Sequence, residues 1–275
     1  MHFFKHGLVL SLVIGSFLAF SFGAQKGGKK GAPPPPPPEK GQAQPQKGQF
    51  NGDAIAEATI ITYGGRNSLA LVKVNGIEKD TVLLPTTGGD KEGQLTTRFV
   101  RKEKSWLDFK RIDLTMPDAD ALSLGFNGAK VWATLNGLAI EPRPEAEKTF
   151  RASMIHSYDA LLRYREDGSK LEAKPNQTIK GIECYVVEMT HEDGSHTTFY
   201  VSAKTLHILH IEYETQLTSD KPTKFKVSYY EYRTVQNVLV PMRTEIYENG
   251  VLTQKLTTTS ITFNVSMDDD VFNHS

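Results

Sequence analysis

The chain has 275 residues, with 32 lysines and arginines balanced by 32 aspartates and glutamates, 39% hydrophobic residues and a single cysteine. A formal net charge of zero argues against a nucleic-acid binder, which concentrates positive charge on one face, and one cysteine excludes an internal disulfide. Past an N-terminal leader, the remaining length suits one sizeable domain and is short for two.

The first 24 residues open with a short basic stretch (Lys5, His6), continue through an apolar core at 8–20 and end in small residues at Ser21 and Gly23. This is the layout of a cleavable secretory signal, with cleavage expected near Gly23 or Ala24. The apolar core falls short of the roughly 20 residues that a membrane-spanning helix needs, and with no cysteine near the cut a lipid-modified N-terminus is excluded. At 25–49 the composition shifts to lysine, glycine and glutamine around six consecutive prolines at 33–38. Such a stretch cannot bury enough apolar surface to offset chain ordering, and its prolines favour a stiff spacer. The expected organisation is a signal peptide at 1–24, a disordered Lys/Gly/Pro-rich linker at 25–49 and one domain at 50–275.

Within that domain, residues 52–63 follow a candidate cap at Asn51 or Asp53 and stop at Gly64-Gly65, which predicts a helix. A helical turn is expected at 67–72. Strands are expected at 76–84, 94–101, 105–114, 121–126 and 130–135, with Asn127-Gly128 as a two-residue hairpin turn. At 147–165, Phe150, Met154, Tyr158 and Leu161 recur three and four residues apart in one apolar stripe, which predicts a single helix ended by Asp167-Gly168. Strands follow at 170–179, 181–190, 195–201, 205–214, 224–233, 239–248 and 251–265, with turns at Asp193-Gly194 and Asn249-Gly250.

Several of these strands are apolar on both faces. In 182–189, Tyr185, Val187 and Met189 take one face, while Ile182, Cys184 and Val186 take the other, so both must meet something dry. Cys184 reads as a small buried apolar side chain. Roughly a dozen strands with two helices give an α+β fold dominated by one antiparallel sheet. Its economical form is an incomplete, open β-barrel with helices packed across the concave side. Alternation points Tyr185, Val187, Leu209, Ile211, Tyr213, Val227 and Tyr229 inward to line a cavity for a hydrophobic ligand. The stripe Phe150, Met154, Tyr158 and Leu161 becomes the inner face of a lid helix.

Enzymatic patterns are missing from the sequence. No Gly-x-Ser-x-Gly pentad occurs. The run His191-Glu192-Asp193-Gly194-Ser195-His196 has its second histidine one position late for a zinc-protease helix, and Asp-Gly makes a turn. His191 and His196 are therefore expected as exposed hairpin residues, with His207 and His210 elsewhere, and no metal site is expected. The acidic run at 268–270 lacks the glycine and terminal glutamate of a calcium loop. No catalytic residue and no cofactor are expected.

The run Phe-Asn-Gly-Ala-Lys-Val-Trp-Ala at 126–133, the Leu-Leu-Arg-Tyr at 161–164, Lys-Gly-Ile-Glu-Cys-Tyr-Val-Val-Glu at 180–188, Gly-Ser-His-Thr-Thr-Phe-Tyr-Val-Ser-Ala-Lys-Thr-Leu at 194–206 and Val-Leu-Val-Pro-Met-Arg-Thr-Glu-Ile-Tyr-Glu-Asn-Gly at 238–250 follow one another in an order that resembles the outer-membrane lipoprotein-sorting proteins and their carrier-like relatives. The resemblance covers most of residues 50–275. It implies an incomplete β-barrel with helices across its opening and an apolar cavity that accepts acyl chains. The implied partner is a lipid or an acylated lipoprotein, with other cell-envelope proteins as further candidates, and the carrier is expected to be a monomer. In those carriers an Arg-Pro pair in an early strand supplies an arginine that touches the lid. Arg101 is followed here by Lys102, so that role is not carried over.

Overall fold

The computed structural model describes residues 50–217 and 221–273; the expected signal peptide and proline-rich linker lie outside the described residues. The first helix, α1 (Gly52–Thr62), begins where the Ala54 N–H donates to the Asn51 side chain at 2.7 Å, the usual solution for an orphan N–H at a helix start. It ends at Tyr63, and Gly64, with φ 115°, turns the chain into α2 (Gly65–Leu71). A Cβ at Gly64 would stand 2.3 Å from the Asn237 carbonyl oxygen. The corner between the two helices is therefore pressed against a hairpin of the sheet.

Two meanders follow. The first runs β1 (Asn75–Leu84), β2 (Lys91–Val100), β3 (Phe109–Thr115), β4 (Leu122–Phe126), β5 (Val131–Leu135) and β6 (Leu138–Ile140), with a 3₁₀ turn, η1 (Ser105–Leu107), between β2 and β3. The second runs β7 (Lys170–Ile179), β8 (Ile182–Thr190), β9 (His196–Ser202), β10 (Ile208–Thr215), β11 (Thr223–Val235), β12 (Val238–Glu248) and β13 (Val251–Phe263). Together they form one open antiparallel sheet of 13 strands in the order β6-β5-β4-β3-β2-β1-β13-β12-β11-β10-β9-β8-β7. All neighbours are consecutive in sequence except β1 and β13, whose pairing joins the two halves. The chain leaves the first meander at one edge of the sheet and starts the second at the other. Its connection, α3 (Pro144–Ile155) and α4 (Tyr158–Leu162), must cross the concave face. No helix among the described residues is long and apolar enough to cross a membrane.

The structure corrects four expectations. The single helix at 147–165 is two helices, broken at His156 and Ser157, where the backbone leaves the helical region (ψ 86° and 166°). Asn127-Gly128 belongs to a four-residue loop between the paired residues Phe126 and Val131, in which the Asn127 side chain accepts from the Ala129 and Lys130 N–H groups. The two-residue turn lies one hairpin later at Asn136-Gly137, both with positive φ, as the twist-matching type I′ turn requires, and it leads into the unexpected β6. The expected strand at 105–114 is η1 followed by β3.

The main hydrophobic core lies between the concave face of β8–β13 and α1, α2 and α4, and includes Ile60, Leu161, Val187, Phe199, Ile211 and Val238. A second cluster packs Phe150 and Met154 of α3 on Leu124, Phe126, Val131 and Ala133. Cys184 is buried on the opposite face beside Val186 and Tyr200, in line with its reading as an apolar side chain.

The Gly64 contact can be tested by substitution. Gly64→Ala combines left-handed strain of about 1–2 kcal/mol with a clash against backbone, whereas Gly65→Ala carries the strain alone, because no atom lies within 4 Å of its added Cβ. In urea denaturation, Gly64→Ala is expected to lose clearly more stability than Gly65→Ala; equal losses would show that the corner is not tightly seated.

Candidate functional site

Six of the seven residues expected to face inward share the concave face. Val187, Ile211, Tyr213, Val227 and Tyr229 are buried in the main core, and Tyr185 is half-buried against it, with the Phe50 ring edge-on at 5.8 Å. Leu209 is the exception and packs on the opposite face with Cys184, Val186 and Tyr200. A bulge between Ile208 and His210 in the pairing with β9 shifts the alternation, so Ile208 takes the inward place; an extra residue in one strand turns every later side chain over. All four lid residues meet the sheet, divided between two places. Phe150 and Met154 lie on β4 and β5, while Leu161 and Tyr158 lie on the main core.

Register builds a different interior beside this core. In one row of the sheet Lys110, Phe99, Gly76 and Phe263 are successive cross-strand partners, and in the next Ile112, Thr97, Glu78 and Ile261. A Cβ on Gly76 would lie 2.9–3.0 Å from the two phenylalanine rings, so glycine is what lets the rings flank it. Above these rows the helix break and the segment 101–108 close a cavity of about 180 Å³ lined by Lys73, Glu78, Arg101, Asp108, Lys110 and Asp159, among others.

Its charges are specifically paired. Lys73, nearly fully buried, donates to both carboxylate oxygens of Asp159 at 2.5 and 2.6 Å and to the Tyr158 hydroxyl at 2.9 Å. Burial pushes the Asp159 carboxyl up, but Lys73 and Arg101 beside it more than reverse this and hold it below the usual range. Arg163 donates to Asp108 at 2.6 Å, to the Lys102 carbonyl at 2.6 Å and to Glu166 at 2.9 Å. Burial raises Asp108 to about 6 against the pull of Arg163. Burial and the neighbouring Glu78 carboxyl push Asp80 up to about 7 against its hydrogen bond from Thr258. Arg101 does reach the lid, lying 3.4 Å from Asp159, although the sequence offered no Arg-Pro pair to say so.

A groove of about 700 Å³ lies on the other side of α3. Trp106, Leu107, Phe126, Met154 and Ile155 form its apolar walls, and Arg151 and residues 191–193 stand at its rim. Leu107 is 40% exposed there. Met154 lines both the groove and the charged cavity.

The histidines also differ from expectation. His191 is buried, not exposed, and its Nε2 lies 2.6 Å from the Thr197 hydroxyl, which His156 Nδ1 approaches at 2.7 Å. His156 sits at the helix break, stacked on Tyr213 at 4.3 Å and edge-on to His191 at 5.0 Å. One hydroxyl can accept from one ring and donate to the other when both rings are neutral. His196 remains exposed, His207 lies on Tyr232, and His210 stacks on Tyr200. Among the described residues no three His, Cys, Asp or Glu side chains gather to hold a metal.

No protein-family model matches the sequence, and no curated protein matches it. Solved structures do share the fold. A DUF1329 family protein from Desulfovibrio piger superposes with a TM-score of 0.56 at 13% identity, covering 81% of this chain and 97% of its own. A domain from Vibrio parahaemolyticus described as an outer membrane lipoprotein-sorting protein gives 0.55 at 12% identity over 81% and 96%. A LolA superfamily protein from Nitrosomonas europaea gives 0.53 at 11% over 82% and 98%. The chain thus has the open-barrel fold of the lipoprotein-sorting and LolA-like structures, as its sequence resemblance implied.

The histidine pair makes stability depend on pH. Burial, and then the neighbouring His191, lower His156 to about 3 against the opposing charge of Asp193, and burial also lowers His191. The unfolded chain takes up protons near pH 6.5 and the folded one does not, so this contribution is intact above about pH 6.5 and is lost as pH falls toward 3. Between pH 6.5 and 5 the loss from His156 is about 2 kcal/mol. Asp80, with its raised pKa, acts in the opposite sense, losing stability as pH rises through about 7. Comparing wild type with His156→Phe, which keeps a ring on Tyr213, isolates the histidine. The variant should lose less melting temperature between pH 7 and 5, and parallel profiles would show that His156 is not titrating.

Proposed function

We propose that the protein is an exported, periplasmic and non-enzymatic binding protein of the lipoprotein-sorting type, which shelters an acyl chain of a lipid or lipoprotein. The observation that carries this reading is the apolar groove along α3. Its volume is that of an ordinary small-molecule cleft, roughly 300–1,000 Å³, and its walls are Trp106, Leu107, Phe126, Met154 and Ile155. The fold shared with lipoprotein-sorting structures supports the same class, and the signal-like first 24 residues support export. Each methylene buried in such a groove contributes on the order of 0.8 kcal/mol before ordering costs. The chain is placed along α3 because the inward residues of β8–β11 already pack against α1 and α4.

That filled core favours a second reading, a ligand-free envelope scaffold with the same fold. One titration separates the two. A fluorescent fatty-acid probe should bind the wild type, and Leu107→Asp, which puts a charge into the groove from a partly exposed position, should weaken binding about tenfold or more with little change in Tm. A wild type that binds no probe would favour the scaffold, and unchanged affinity in Leu107→Asp would move the ligand elsewhere.

A further inference from the structure

Lys110 of β3 pairs directly with Phe126 of β4 on one side and with Phe99 of β2 on the other. One row of the sheet therefore carries the apolar floor of the groove and, one strand over, an ammonium group in the charged cavity. Met154 lines both spaces. The Lys110 ammonium makes a 3.4 Å hydrogen bond to the Ser153 hydroxyl and, among the described residues, no ion pair. Arg101 lines the same cavity, and its buried Nη2 has no hydrogen-bond partner. The carboxylates around them are committed elsewhere. Asp159 is held by Lys73, Asp108 by Arg163 and the Lys102 N–H, and Glu78, which burial keeps toward its neutral form, accepts from Thr258.

We propose that the cavity over Lys110 is the headgroup site for an anionic single-chain amphiphile, a fatty acid or an alkyl phosphate, whose chain lies in the groove over Phe126. This rests on the reading of that groove as chain-binding. At about 180 Å³ the cavity holds roughly six waters' worth of volume at about 30 Å³ each, enough for a carboxylate or phosphate and too little for the chain. An anionic oxygen supplies what Lys110 lacks, a charged acceptor in a site with little water, and offers the Arg101 Nη2, already 3.4 Å from Asp159, the hydrogen bond it does not make. A neutral headgroup would displace that water and leave the ammonium without a counter-charge, which is the physical basis for discrimination. Burial already lowers the Lys110 pKa, and a bound anion would raise it again.

The test is displacement of a fluorescent fatty-acid probe from the full chain by laurate, dodecyl phosphate and dodecanol, which share a chain length and differ in headgroup. At least one of the anions should compete about tenfold better than dodecanol. Lys110→Met should bring both anions to the level of dodecanol without changing dodecanol itself, and Lys110→Arg should keep the preference. Should Lys110→Met fail to fold, Lys110→Gln serves in its place. A preference for one anion alone names the headgroup. Equal competition by all three in the wild type, or a preference that survives loss of the ammonium, overturns the headgroup site while leaving the groove intact. Failure of every amphiphile to displace or replace the probe removes the groove reading, and this inference with it.

Discussion

The pairing of β1 with β13 is the contact on which the rest of the architecture depends. Every other neighbour in the sheet is joined through a local connection and could form within its own meander. The β1–β13 ladder alone brings residues some 180 positions apart into register, for example Glu78 opposite Ile261, and so makes one sheet out of two. Once it forms, the free ends of the meanders stand at opposite edges, and the chain between β6 and β7 has no short route. It must span the concave face, and the residues that do so are α3 and α4. The helices across the concave face are thus a consequence of strand order.

The same ladder explains why charges collect beneath the helix break. β1 lies in the middle of the sheet, and Gly76, Glu78, Asp80, Val82 and Leu84 share its inner face. Two carboxylates in that row would be very unfavourable against hydrocarbon. The structure answers with Thr258, whose hydroxyl lies within hydrogen-bond reach of both, 3.1 Å from Glu78 and 2.8 Å from Asp80, and with a polar cavity in place of side-chain packing. Opposite them, Lys73 and Asp159 tie α4 to the segment leading into β1 by an ion pair whose lysine is buried and whose carboxylate is partly so. Such a pair adds little net stability over an apolar substitute but is costly to break by removing one partner. Its effect is to fix where α4 begins, and with it the break at His156 and Ser157.

The division between a filled core and an open groove follows the same break. C-terminal to it, α4 lies with α1 on the aromatic-rich strands of the second meander, where Tyr63 meets Tyr232 and Tyr158 meets Tyr229 edge to face. On the other side α3 rests on the short strands β4 and β5, with η1 and the loop at 191–193 beside its groove-lining flank. An incomplete contact there leaves the apolar groove.

Much of this was legible in the residues. Alternation identified the second meander almost strand for strand, because its strands are long and half-buried and each type I′ turn carries its own chemistry, as at Asn249-Gly250. The stripe Phe150, Met154, Tyr158 and Leu161, expected on one helix, falls on two, with Phe150 and Met154 in one cluster and Tyr158 and Leu161 on another. A signal for the charged cavity was present too, since Lys110 shares its alternation with Ile112 and Leu114, and Glu78 and Asp80 share theirs with Val82 and Leu84. What local sequence could not supply was anything that depends on partners in other elements. The bulge that turns Leu209 outward arises in its ladder with β9. The burial of His191 requires Thr197 from the next strand and His156 from the lid, and the interruption of the lid stripe requires the floor beneath it. Periodicity and turn chemistry act over a few residues and determined most of the strands, turns such as Asn249-Gly250 and the antiparallel plan; only the tertiary structure, through contacts between elements far apart in the chain, decided which inward side chains form core, which form a charged cavity, and where an apolar groove is left open.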